Sequence, residues 1–146
     1  MLEKINADIV SAMKEHDTLK LSTLRLLKGA VDLERINKRV DKLNGDDIIA
    51  IIAKQIKTRK ESIVEFERGN RQDLIDKTNS EIEILSAYMP EQIGEEELSN
   101  IIEQAIKEVN ATTIKDMGSV MKIVSSKVKG RADMQQVSSI IKSKLN

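Results

Sequence analysis

Apolar side chains recur at steps of three and four along nearly the whole chain, the spacing that gathers one face of an α-helix. Leu2, Ile5, Ile9 and Met13 form the first such face. A segment from about Leu19 carries two apolar rows, Leu24/Leu27/Val31 and Leu26/Ala30/Leu33, which predicts a helix covered on more than one side. Asn44-Gly45-Asp46-Asp47 reads as a turn whose asparagine can cap the next helix. From there Ile49, Ile52, Ile56, Ile63 and Phe66 mark a long helix halted at Gly69-Asn70. Its isoleucine-rich start suits a strand, but a stripe sustained for about five turns excludes one. Phe66 lies on that stripe and is expected to be buried.

A fourth helix follows Arg71, with Ile75, Thr78, Ile82, Leu85 and Met89 on one side. Met89-Pro90 is expected to end it, because the residue before a proline is pushed out of the α region. Gly94 precedes Glu95-Glu96-Glu97, acids placed where a helix dipole favours them, and Leu98, Ile101, Ile102, Ala105 and Val109 complete that helix. Met117, Met121, Val124 and Val128 predict a sixth helix, its methionines acting as core filler, with Gly130 where a C-terminal cap belongs. Asp133 and Gln136 resemble a capping box that opens a last helix through Val137, Ile140, Ile141 and Leu145. The fold class is all-α, seven helices without a strand. The single proline, Pro90, divides a larger N-terminal helical domain, residues 1–90, from a small C-terminal three-helix domain, residues 91–146.

Composition narrows the chemistry. With no cysteine among 146 residues there is no disulfide framework, thiol nucleophile or cysteine-rich metal site. The longest apolar run, Ile48 to Ala53, is six residues, far short of a membrane span. Glu3 and Asp8 stand near the N-terminus where a secretory signal would be apolar. A cytoplasmic protein without a membrane partner is the expectation. His16, the one histidine, lies at the junction of the first two helices and reads as a helix-end residue rather than a general base. No phosphate-cradling glycine loop, His-Glu-x-x-His motif or Gly-x-Ser-x-Gly elbow occurs, so no catalytic residue, metal or cofactor is expected. Glu95, Glu96 and Glu97 point in different directions on a helix, which suits dipole capping better than metal binding.

Net charge is zero, with 24 basic against 24 acidic side chains, which at first argues against a polyanionic partner. Divided along the chain, residues 1–80 carry +2, residues 81–110 carry −7 and residues 111–146 carry +5. Within the last window, Lys122, Lys127, Lys129 and Arg131 cluster around Gly130 at the final interhelical turn, a candidate phosphate contact. A second basic stretch, Lys54, Lys57, Arg59 and Lys60, is expected to pair with Glu61 and Glu65 at helical spacing. Gly118 inside a helical pattern costs about 1 kcal/mol relative to alanine, so close approach of a neighbouring helix or an RNA backbone is expected there. One Phe and one Tyr leave little for base stacking, so any RNA contact should be to phosphates and folded shape.

Two segments carry a family signature. Asp116-Met117-Gly118-Ser119-Val120-Met121 and Lys127-Val128-Lys129-Gly130-Arg131-Ala132-Asp133 resemble the GatB/YqeY family. Ile56-Lys57-Thr58-Arg59-Lys60-Glu61-Ser62, Gly69-Asn70-Arg71-Gln72-Asp73-Leu74, Glu81-Ile82-Glu83-Ile84-Leu85 and Tyr88-Met89-Pro90 agree with it, and the whole chain is similar to stand-alone YqeY-like members. Ser119 stands where a basic residue is common, Ser126 where many members have proline, and Met134 where they often have glycine. The resemblance implies an all-helical fold like the helical and tail region of the aminoacyl-tRNA amidotransferase B subunit, whose tail helps hold tRNA while amide transfer occurs elsewhere. It therefore implies a non-catalytic tRNA-binding or amidotransferase-associated accessory protein, with Lys122, Lys127, Lys129 and Arg131 on phosphates and Gly130 permitting close approach. Two alternatives stand beside it. One is a protein–protein adaptor docking through the second helix or the acidic 81–108 segment. The other is a carbon–nitrogen ligase with glutamine as amido-N-donor, for which no nucleophile or ATP loop is visible.

Overall fold

The computed structural model describes residues 1–145, which form seven α-helices, one short 3-10 turn and no strand among the described residues. The helices are α1 (Leu2–Lys14), α2 (Thr18–Lys38), α3 (Gly45–Arg68), α4 (Gln72–Ser86), α5 (Glu95–Val109), α6 (Met117–Val128) and α7 (Met134–Leu145), with the 3-10 turn at Ile114–Asp116. They divide into two compact units, Met1–Met89 and Pro90–Asn146.

In the first unit α1 packs on α2, α3 packs on α4, and α2 reaches both of the latter. Ile5, Leu24, Leu27, Val31, Ile48, Ile52 and Leu85 are the fully enclosed side chains of this core, with Leu43 and Tyr88 closing its edge. Thr23 and Thr78 are buried with them. Their hydroxyls donate to the carbonyls of Leu19 at 2.8 Å and Leu74 at 2.7 Å, one turn back, so neither is left unsatisfied. Arg59 of α3 reaches across to Glu81 of α4 at 2.8 Å, a pair whose side chains are only 14% and 20% exposed. The local pairing expected of this basic stretch with Glu61 and Glu65 does not form among the described residues. Glu81 on the facing helix meets the guanidinium where both side chains are shielded from water, whereas Glu61, two positions along α3, points to another side of the helix.

The helix ends follow local chemistry, with some changes of actor. The side chain of Asn44 accepts the Asp47 N–H at 2.8 Å and caps α3 as expected, and Asp17 does the same for α2 through Lys20 N–H at 3.2 Å. At the end of α3 the left-handed residue is Asn70, at φ 54°, and not Gly69. His16, Arg39 and Asn110 occupy the same region at φ 56°, 56° and 53° after α1, α2 and α5. α4 ends at Ser86, well before Pro90. Its last turn tightens as Tyr88 and Met89 bond back to Leu85 and Ser86 at 3.1 Å, so the proline follows the helix without cutting it.

Two burial expectations are corrected. The second row of α2 faces solvent, with Leu26 63%, Leu33 60% and Ile36 60% exposed, because the Leu24/Leu27/Val31 side alone meets the other helices. Phe66 is half-buried and outside the core cluster. It lies about four turns beyond Ile52, the last fully buried residue of α3.

In the second unit the stripes of three helices meet: Leu98, Ile102 and Ala105 from α5, Val120, Val124 and Val128 from α6, and Val137, Ile141 and Leu145 from α7. Met117 and Met121 pack against this cluster, as core filler should. The 3-10 turn starts with a true capping box between Thr113 and Asp116. Asp133 opens α7 by accepting the Gln135 N–H at 2.9 Å, without the reciprocal Gln136 bond among the described residues. Gly118 departs from expectation. It lies in the first turn of α6, and a Cβ built there meets nothing within 4 Å, so no neighbouring helix approaches it.

Candidate nucleic-acid interface

The turn between α6 and α7 is built by its own backbone. Lys129 and Gly130 take φ values of 29° and 80°, and the left-handed conformation of Gly130 is one that glycine adopts without steric cost. The Arg131 N–H then closes on the Val128 carbonyl at 2.7 Å. The segment before α5 is stitched to this turn by three bonds. Ile93 N–H donates to the Arg131 carbonyl at 2.8 Å, Arg131 Nε donates to the Glu91 carbonyl at 3.1 Å, and Gln92 Nε2 donates to the Gly130 carbonyl at 3.2 Å. Arg131 thus has a structural duty that its sequence position does not reveal, and its guanidinium keeps further N–H donors beyond the one it spends on Glu91.

The remaining candidates are distributed around α6. Lys122 is exposed on the face opposite Val120 and Val124, between Ser119 and Ser126. Lys127 stands about 140° away around the helix and meets Glu108 of α5 at 3.4 Å. Lys129 is exposed at the C-terminal cap. The turn therefore brings Lys129, Gly130 and Arg131 together, with Lys127 beside them on the α5 side and Lys122 on the outer face.

Folding also redistributes charge. The unit Pro90–Asn146 contains eight basic and eight acidic side chains, so the excess of residues 111–146 is balanced by α5 within the same unit. Ion pairs make that balance concrete: Lys144 to Glu103 at 2.7 Å and Lys127 to Glu108 at 3.4 Å. Lys144 holds the Glu103 carboxyl below the ordinary carboxylate range. In the other unit Lys54, Lys57 and Lys60 are exposed and form no ion pair among the described residues. Sequence spacing had assigned them partners, so their availability was missed.

His16 is exposed at the α1–α2 junction with a left-handed backbone, the helix-end position its place in the sequence suggests. Among the described residues no group of three His, Cys, Asp or Glu side chains could hold a metal ion, and no helix is long and apolar enough to cross a membrane.

The YqeY-like protein family matches this sequence over residues 2–145. The chain belongs to that family. Among relatives, "Altered inheritance of mitochondria protein 41, mitochondrial" of Pyrenophora tritici-repentis is 32% identical over 144 residues, covering 94% of this YqeY-like chain and 77% of the relative. The protein of that name in Lachancea thermotolerans is 33% identical over 85 residues, 58% of this chain and 46% of its own length. In Saccharomyces cerevisiae it is 25% identical over 133 residues, 91% and 70% respectively. The Lachancea match spans less than half of that protein's length. These names overturn the cytoplasmic expectation, since the relatives are called mitochondrial. That expectation came from the lack of an apolar span and an apolar leader, and neither feature bears on a mitochondrial destination.

Proposed function

We propose that this YqeY-like chain is a non-catalytic accessory protein of translation that holds tRNA by its phosphates or accompanies an aminoacyl-tRNA amidotransferase, with the units around Pro90 serving as a larger N-terminal and a small C-terminal domain. The observation that carries this reading is the family match across residues 2–145, which includes the whole α6–α7 segment. Lys122, Lys129 and Arg131 supply the phosphate contacts, Gly130 admits the backbone to the turn, and Lys127 joins when a phosphate displaces Glu108. The names of the fungal relatives support mitochondria as the place of this work. Filter binding of bulk tRNA at low salt tests the reading. Retention by the intact chain, weakened when Lys129 and Arg131 are neutralised together, is the expected result; no retention at any salt refutes it.

A second reading, a protein–protein adaptor, is favoured by one observation, the exposed apolar row of α2. A pull-down that keeps a defined protein partner after nuclease treatment, and loses it on Leu33→Asp, supports that reading.

A further inference from the structure

The outer face of α2 repeats every seven residues. Leu19, Leu26 and Leu33 form one line, and Ser22, Gly29 and Ile36 form the line beside it. This spacing is that of a coiled-coil seam, in which two helices meet along a narrow apolar strip. Leu26, Leu33 and Ile36 are 60–63% exposed, so the strip is uncovered from its middle to its end, while Leu19 at its start is half-buried. At its middle is Gly29, where a Cβ would meet no atom within 4 Å, so the backbone there is open to a second helix. The chain leaves this seam unpartnered.

We infer that the occupant is a second copy of this chain, bound through α2 in antiparallel, two-fold fashion around the Gly29–Ala30 step. The strip is self-complementary about that point. Leu26 lies three residues before Gly29 and Leu33 three residues after Ala30, so a two-fold axis puts Leu26 of each copy on Leu33 of the other. The charged border decides the direction. Arg25, Lys28 and Asp32 share one flank of the strip, and only the antiparallel arrangement places Asp32 of one copy near Arg25 and Lys28 of the other. A parallel pair would turn that flank toward the uncharged Ala30 and Asn37 side of the other copy, leaving Asp32 without a basic partner across the seam. On the same flank Arg25 already lies over Met13 at 3.5 Å from its sulfur, and the exposed Val10 and Met13 of α1 widen the apolar surface there. The contact is one helix wide, which fits a reversible dimer and not an obligate one.

The inference rests on α2 being a docking surface and is independent of the tRNA reading. Sedimentation of the full chain across a concentration series is the first measurement, with an apparent mass that rises from monomer to twice that value. Leu26→Asp should abolish the rise while circular dichroism stays unchanged, because the side chain is exposed in the monomer. Arg25→Asp or Asp32→Arg alone should weaken the dimer, and the two together should restore it. Since the chain contains no cysteine, Gly29→Cys should cross-link to dimer on mild oxidation far faster than a control Ser125→Cys. A chain that stays monomeric at every concentration overturns the inference, as does a dimer that survives Leu26→Asp or links no faster through Gly29→Cys than through the control. A monomer still captured by another protein through α2 would leave the adaptor reading standing, so the two failures are told apart.

Discussion

The Tyr88 hydroxyl donates a hydrogen bond to the Asp8 carboxylate, tying the end of α4 to α1 across 80 positions of sequence. The Lys4 ammonium sits 5.4 Å from the centre of the same ring and adds a cation–π contact. Burial first, and the Asp8 carboxylate second, push the phenol above its ordinary range. The folded chain therefore keeps this proton to higher pH than the unfolded chain does. The stability it contributes is complete below the ordinary tyrosine value of about 10 and declines as pH rises beyond it. Tyr88→Phe should cost about 1 kcal/mol in urea unfolding near neutrality and should flatten the loss of stability on the alkaline side.

Asp116 predicts the opposite dependence. Its carboxylate accepts the Thr112 and Thr113 N–H groups at 3.0 and 3.3 Å, which holds the carboxyl below its ordinary range. The stability it brings is present above the unfolded value and is lost as pH falls through the folded one. In thermal melts across the acid range, Asp116→Ala should lower the midpoint at neutral pH and shrink the acid-side decline.

Gly118 and Gly130 should respond to alanine with opposite signs. Gly118→Ala adds a Cβ in open space on a helical backbone and should stabilise the chain by about 0.5–1 kcal/mol. Gly130→Ala forces a side chain into a left-handed conformation and should destabilise it by about 1–2 kcal/mol. Urea unfolding of both variants checks the pair. Titrating Gly118→Ala with tRNA also tests the remaining idea that RNA approaches there, since a tighter fold with weaker binding would locate the backbone at that site.

Much of the fold was legible in the stripes, because core formation requires apolar side chains to recur at helical spacing. Leu24, Leu27 and Val31 are buried together for that reason, as are Val120, Val124 and Val128. The same periodicity misleads at Leu26 and Leu33, since it records that a face is apolar and not what covers it. Helix stops were harder to read. The backbone at Asn70, Arg39 and His16 has a positive φ, a requirement met here by residues other than the glycine that a sequence reading looks for. Pairing was least legible. Arg59 pairs with Glu81 on the facing helix and not within its own, and Tyr88 finds Asp8 across the chain, choices set by tertiary geometry. At the candidate interface the cluster of basic residues was visible from spacing, whereas the bond from Arg131 to Glu91 and the balancing acids of α5 depend on how the chain folds back.

The salt dependence of tRNA binding tests the central proposal most directly. Lys122 is exposed on α6 and forms no ion pair among the described residues, so Lys122→Ala removes a phosphate contact without disturbing the fold. Wild-type affinity should fall linearly with the logarithm of salt concentration, and Lys122→Ala should reduce the magnitude of that slope by about one. A wild-type chain that binds no tRNA at low salt, or a slope that Lys122→Ala leaves unchanged, would contradict phosphate recognition through this face.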